Sequence, residues 1–311
     1  MRGRPLFELI CALKNWGYML EKIGIIGGSG IYDMTDLVNK RWEKIKSPFG
    51  EPSSELLFGE LNGEEIVFLP RHGRGHKIPP TEINFHANID AMKRVGVTDI
   101  ISISAVGSLR EDLSPGMFVI VDQFIDRTFA RNKSFFGTGL VAHVSMAQPV
   151  CRRLSNHIEA AAGAANIPIV RGGIYLAIEG PQFSSLAESN LYRAWGCDVI
   201  GMTGMPEAKL AREAELCYAT LAMVTDYDCW HAGHEDVTID MIVKVLAENA
   251  DKAKRLLQHT LPRMYGDPMR AACSCHSALE HAIITDPSVR DLGMIEKLEA
   301  VAGRVLKSGL Q

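Results

Sequence analysis

The chain has 311 residues, 47% of them hydrophobic, which is enough for one large α/β domain or two small ones. Its net charge of −4 contains no basic block, which excludes nucleic acid as a partner. No apolar run approaches the roughly 18 residues of a membrane-crossing helix, and seven scattered cysteines without framework spacing point to a reducing cytoplasm.

Residues 1–21 read as an N-terminal extension. Arg2, Arg4 and an apolar patch suggest a signal peptide, but Glu8 interrupts the patch and no small-residue cleavage site follows. Ile23-Gly-Ile-Ile-Gly-Gly-Ser-Gly30 predicts a short strand running into a glycine-rich loop whose N–H groups can approach an anion; a simple tight turn fits it too. Asp33 occupies the third glycine position of the dinucleotide fingerprint, and no Gly-Lys-Ser/Thr follows for a Walker loop.

Strands are predicted at 55–61 and 65–69, turning at Asn62-Gly63, a strong hairpin signal. The second ends in Arg71-His-Gly-Arg-Gly-His76. Arginine forks and imidazoles suit phosphate oxygens, although capping helices or pairing with surface acids would use the same side chains. A helix follows at 84–94 with Gly96 past its end, then a strand at 100–104, a small-residue turn from Ala105 to Leu109, and a strand at 118–121.

The pattern is helical over 149–165 and extended over 174–178, leading to Glu179-Gly-Pro-Gln-Phe-Ser-Ser185, a loop with one aromatic, Phe183. The next helix ends at Trp195-Gly196; a strand at 199–200 leads to Met202-Thr203, and Pro206 opens another helix. The continuous apolar run 216–224 marks a strand at the parallel centre of a sheet. Directly beyond it stand Asp226 and Asp228. On an extended segment both carboxylates project to one side, and crowding pushes their pKa values apart, so that one stays protonated as a general acid. Solvated turn aspartates, helix caps or a salt bridge share this spacing.

Thr238 caps a long amphipathic helix whose stripe Ile239, Ile242, Val243, Leu246, Ala250, Ala253 and Leu257 reads as core packing. After Pro262 the chain loosens into a helical tail, 266–311. There Cys273-Ser-Cys275 can close a strained ring or ligate metal, but two ligands make no zinc site. The fold class is α/β: a single domain over 22–265 with a mixed, largely parallel twisted central sheet flanked by helices. Loops 27–30, 71–76 and 104–108, with Thr203, form an anion cradle; Phe183 and the aspartates form a heterocycle pocket.

With these motifs in order, the chain resembles the trimeric nucleoside phosphorylases over about residues 24–262. The resemblance rests on Gly-Gly-Ser-Gly30, Arg71-His-Gly-Arg-Gly-His76, Ser104-Ala-Val-Gly-Ser-Leu109, Asp122-Gln-Phe-Ile-Asp-Arg127, Ile178-Glu-Gly-Pro-Gln-Phe183, Gly201-Met-Thr203 and Thr225-Asp-Tyr-Asp228. The Cys273-Ser-Cys275 tail also looks like that of some thermophilic members. The resemblance implies that Ser29, Arg71, His72, Ser104, Ala105 and Thr203 hold inorganic phosphate. Met202 would pack on the ribose and Phe183 flank the purine. Asp226 would protonate N7, and Asp228 would accept from the exocyclic amine. Ser184, Ile239 and His143 (the last from a neighbouring subunit) would shape specificity.

The implied reaction is phosphate-dependent cleavage of 5′-methylthioadenosine to adenine and 5-methylthioribose 1-phosphate. Phosphate is the co-substrate, with no metal or organic cofactor, in a cytoplasmic homotrimer. The aspartate pair favours adenine, because a carboxylate opposes the lone pairs of a 6-keto oxygen. Broader action on adenosine or 6-oxopurine nucleosides, hydrolysis by a nucleosidase and a noncatalytic purine-binding module remain as alternatives; the arginine–histidine loop argues against hydrolysis. Gly204-Met205 and 132–138 depart from the family at pocket edges.

Overall fold

The computed structural model describes residues 22–28, 37–231 and 239–307. Its first half comprises β1 (Lys22–Gly27), β2 (Val38–Glu43), β3 (Leu56–Leu61), β4 (Glu64–Pro70), α1 (Phe85–Arg94), β5 (Val97–Ser108), β6 (Phe118–Ile120) and β7 (Gln123–Asp126). There follow α2 (Arg152–Ala165), β8 (Ile169–Arg171), β9 (Ile174–Ala177), α3 (Leu186–Ala194), β10 (Val199–Gly201), α4 (Gly204–Glu213) and β11 (Cys217–Asp226). The chain closes with α5 (Ile239–Tyr265), α6 (Leu292–Lys297) and α7 (Glu299–Lys307).

The strands form one mixed sheet in the order β2-β3-β4-β1-β5-β10-β9-β7, with β11 against β5 and β6, and β8 against β6. β4, β1, β5 and β11 run parallel, so their carboxyl ends open on one side. β11 is buried as its apolar run predicts, and alternate residues feed two cores. Tyr218, Ala222 and Val224 pack with α1, α4 and α7, whereas Ala219, Leu221 and Met223 pack with α2 and α5. Each large apolar side chain buried this way contributes about 1.5–3 kcal/mol, and burial on both faces is why the run lacks alternation.

The predicted hairpin forms with Leu61 opposite Glu64, and Asn62 and Gly63 at φ 55° and 82° give the primed turn that Asn-Gly favours. The turn predicted at Ala105–Leu109 is instead strand as far as Ser108. β5 continues because β11 pairs it through Gly107 on one side while β10 pairs Gly107 and Ser108 antiparallel on the other. The small residue is needed: a Cβ on Gly107 would lie 2.9 Å from Asp226 Oδ1 and 3.1 Å from Ile200 Cγ2.

α1 is capped by Asn84, whose side chain accepts from Ala87 N–H. In α4, Met205 is extended, so regular helix begins at Pro206 as predicted. α5 runs past Pro262 to Tyr265, and the segment beyond it is better packed than the sequence suggests: Leu298, Val301 and Leu306 are buried in the core that holds Ala91 and Met92 of α1. Thr238, the predicted cap of α5, lies outside the described residues.

Candidate active site

The parallel carboxyl ends border a cavity of about 890 Å³, the size and position expected for a small-molecule site. Arg71, His72, Ser104, Ala105, Phe183, Ser184, Met202, Thr203, Asp226 and Asp228 all line it. Gly28 lines it as well, but Ser29 lies outside the described residues. α5 contributes Leu246, so the stripe read as core packing also faces the site; the side chain of Ile239 is outside the described residues. His143 is exposed and borders a different cavity, with Phe136, Val144 and Lys209.

Antiparallel pairing of β10 with β5 swings Met202 and Thr203 back beside Ser104. There Ser104 Oγ lies 3.1 Å from Thr203 Oγ1 and 3.2 Å from the Tyr175 hydroxyl. Gly201 makes room for this trio, since a Cβ on it would fall 2.0 Å from the Tyr175 oxygen. Rotatable hydroxyls beside a strand end give donors that an anion can orient.

The arginine–histidine loop differs from expectation. The Arg71 fork is fully buried and largely spent within the protein: Nε and Nη2 donate to the Glu207 carboxylate at 2.8 and 3.1 Å, Nη2 to Ser102 Oγ at 2.7 Å, and Nη1 to the Ile103 carbonyl at 3.0 Å. Burial works against the guanidinium, yet Glu207 keeps its pKa above the ordinary value. Arg74 stacks over Trp42 at 4.7 Å rather than lining the cavity. His72 stacks on His76 at 4.2 Å, and its Nδ1 lies 2.9 Å from the Ile78 carbonyl. A carbonyl only accepts, so Nδ1 carries the proton, and burial lowers the ring's pKa to about 4.

The aspartates are held differently from each other. Asp226 is the last residue of β11, and burial raises its pKa; the charge of neighbouring Asp228 adds least, so desolvation and not crowding is the cause. Nor is the segment extended: Asp228 has φ 53° and its N–H turns back to donate to Asp226 Oδ1 at 2.8 Å. Thr225 Oγ1 lies 2.6 Å from Asp226 Oδ2 and 3.2 Å from the Val106 carbonyl. A protonated Asp226 can donate a hydrogen bond to Thr225, whose own hydroxyl then donates to the Val106 carbonyl. Asp228 instead accepts the Ser184 hydroxyl, 2.8 and 2.7 Å from its two oxygens. Phe183 is 60% exposed at the mouth.

Some supports carried no assigned role in the sequence. Glu179 accepts from Phe129 N–H, Ala130 N–H and Arg131, and these bonds overcome burial to hold its carboxyl near pKa 2. Arg131 in turn donates to the Met202 carbonyl at 2.6 Å, fixing the residue that borders the cavity. Glu179 sits inside a quoted motif, but Arg131 and Glu207 lack any local signal, because a buried ion pair and a surface one are spelled alike. The Asp122–Arg127 motif is a brace: Asp126 binds Lys209 at 2.5 Å and Lys133 at 3.1 Å.

Residues 22–262 match the family model described as the phosphorylase superfamily. The chain belongs to that superfamily. It is 58% identical to the S-methyl-5′-thioadenosine phosphorylase of Rhodospirillum rubrum over 93% of this chain and 98% of that one. It is 51% identical to the protein of the same name from Geobacter sulfurreducens, over 92% and 99%. Among solved structures of the superfamily, a methylthioadenosine phosphorylase from an antarctic soil metagenomic library superposes with a TM-score of 0.86 at 45% identity, covering 90% of this chain and 98% of that one. The methylthioadenosine phosphorylase of Schistosoma mansoni in complex with adenine gives 0.78 at 37% identity, over 83% and 97%. No described helix is long and apolar enough to cross a membrane.

Proposed function

We propose that this chain cleaves 5′-methylthioadenosine with inorganic phosphate, yielding adenine and 5-methylthioribose 1-phosphate. One observation carries the reading: Asp226, a carboxyl whose pKa burial raises, shares a cavity with the hydroxyl donors Ser104 and Thr203. Full-length relatives named for this reaction support it.

In this reading Ser29, Ser104, Ala105, Thr203 and His72 hold the phosphate, with the buried Arg71 contributing from behind. As the C1′–N9 bond stretches, positive charge grows on the ribose and the anion beneath it stabilises that charge, then forms the C1′–O bond. The electron pair goes to the purine, and Asp226 gives its proton to N7; a positioned acid contributes about 10²–10⁴-fold. Asp228, steadied by Ser184, accepts from the exocyclic amine. Phe183 flanks the purine and Met202 packs on the ribose. The working unit is a cytoplasmic homotrimer, in which an exposed His143 reaches the 5′ substituent in a neighbouring copy. No metal or organic cofactor takes part.

The test is turnover of methylthioadenosine with and without orthophosphate. The expected result is strict phosphate dependence and a sugar 1-phosphate product. An unchanged rate that yields free methylthioribose would make the protein a nucleosidase and overturn the proposal.

A further inference from the structure

At the other end of β11, roughly 30 Å from Asp226 at the rise of a strand, four cysteines meet. Cys217 begins β11, Cys151 precedes α2, and Cys273 and Cys275 lie at a short helical turn, Ser274–Ser277. The backbone N–H of Cys151 donates to the Tyr218 carbonyl at 2.7 Å, which fixes the first two together. The four Sγ atoms all lie within 4.8 Å of one another; three of the residues are buried and Cys273 is half-buried. The C-x-C pair alone offers too few ligands, but the fold supplies the missing two from segments 56 and more residues away in sequence (Cys217 to Cys273).

These are free thiols: Cys151 Sγ and Cys273 Sγ stand 3.6 Å apart, well beyond the roughly 2.05 Å of a disulfide. Their spacing suits another bond. Four thiolates around zinc at about 2.3 Å make a tetrahedron with edges of about 3.8 Å, so the cluster (4.8 Å at most) needs to contract by no more than about 1 Å.

The surroundings suit an anionic metal–thiolate centre. Arg212 Nη1 donates to Cys275 Sγ at 3.6 Å, His276 Nε2 lies 3.5 Å from Cys217 Sγ, and Arg153 interacts with Cys217 while also pairing with Asp99 and Asp267. Arg153 and Arg212 each keep a buried Nε–H with no acceptor among the described residues. Donors directed at ligand sulfurs are the usual outer support of such a centre.

We propose that Cys151, Cys217, Cys273 and Cys275 bind one zinc ion, which fastens the C-terminal segment to the amino end of the central strand. Four protein ligands in a closed, buried setting make the role structural. Binding forms four Zn–S bonds and releases the thiol protons to water, with no change of oxidation state. The centre is independent of phosphorolysis.

The full chain is purified with reductant and without chelator, then assayed for metal by mass spectrometry and for thiols after denaturation. The expected result is one zinc per chain. Cobalt added to the apoprotein should show sulfur-to-cobalt charge transfer and tetrahedral d–d bands, and metal removal should lower Tm reversibly. Cys273→Ser with Cys275→Ser should abolish both cobalt signatures while circular dichroism stays native. Failure of the zinc-free wild type to take up zinc or cobalt with its thiols reduced would overturn the proposal. So would retention of stoichiometric zinc by the doubly substituted protein, or a wild type isolated with the four cysteines as two disulfides.

Discussion

Replacing Asp228 with asparagine tests how the site reads the purine. The backbone there has φ 53°, a conformation asparagine adopts as readily as aspartate, so the change is local. Ser184, at 2.8 and 2.7 Å from the two carboxylate oxygens, can keep its bond by donating to the amide oxygen. The amide N–H then faces the base edge where a carboxylate stood. A 6-aminopurine loses a charge-assisted hydrogen bond of about 1.5–3 kcal/mol. A 6-oxopurine gains a neutral one of about 0.5–1.5 kcal/mol. Together they shift the preference by about 2–4.5 kcal/mol, or roughly 30- to 2,000-fold. The assay is kcat/KM for methylthioadenosine and methylthioinosine at saturating phosphate, with products separated chromatographically. A folded variant with an unchanged ratio would refute the idea that Asp228 touches the base.

Asp226→Asn should lower kcat by about 10²–10⁴-fold, because an amide can hold N7 but cannot supply its proton; phosphate affinity, read by isothermal titration calorimetry, should persist. Gly201→Ala should cost about 1–3 kcal/mol in urea unfolding and raise the KM for phosphate, since the new methyl meets the Tyr175 hydroxyl at 2.0 Å. Glu213 is buried, which lifts its carboxyl from 4.5 to about 7 despite bonds from Ser134 and Phe135. Its contribution to stability is complete below pH 4.5 and is lost as pH rises to about 7. The shift corresponds to about 3 kcal/mol, so Glu213→Gln should flatten the decline of Tm over that window relative to the wild type.

The parts of the fold visible in the sequence were those with a local cause. The Asn62-Gly63 hairpin, the helix ending before Gly96 and the apolar run of β11 each announce their geometry through neighbouring residues. β2, β7 and β8 did not: Val38–Glu43 is a largely exposed edge strand without alternation, and the other two are half-buried runs of three or four residues. Gly28, Arg71, His72, Asp226 and Asp228 share a cavity because they follow parallel strand ends, a rule of topology that a chain-order reading can use, whereas Phe183, Met202 and Thr203 arrive on β9 and β10, which run against β5. What escaped depended on partners distant in the chain. Glu207 meets Arg71 across 136 positions, and nothing beside either residue announces it. The Cys273-Ser-Cys275 pair looked too small for a metal because Cys151 and Cys217 join it only in three dimensions.

The protonation of His72 has a consequence for which oxyanion the cradle admits. With Nδ1–H committed to the Ile78 carbonyl and the ring neutral above about pH 4, Nε2 offers only a lone pair. Hydrogenphosphate has an O–H to give to that lone pair. Sulfate, of the same shape and charge, has none and would set one lone pair against another. Because Glu207 also balances the Arg71 cation, charge alone does little to attract either ion. The imidazole would therefore act as a proton gauge, letting the protein pick its nucleophile from a cell full of look-alike dianions.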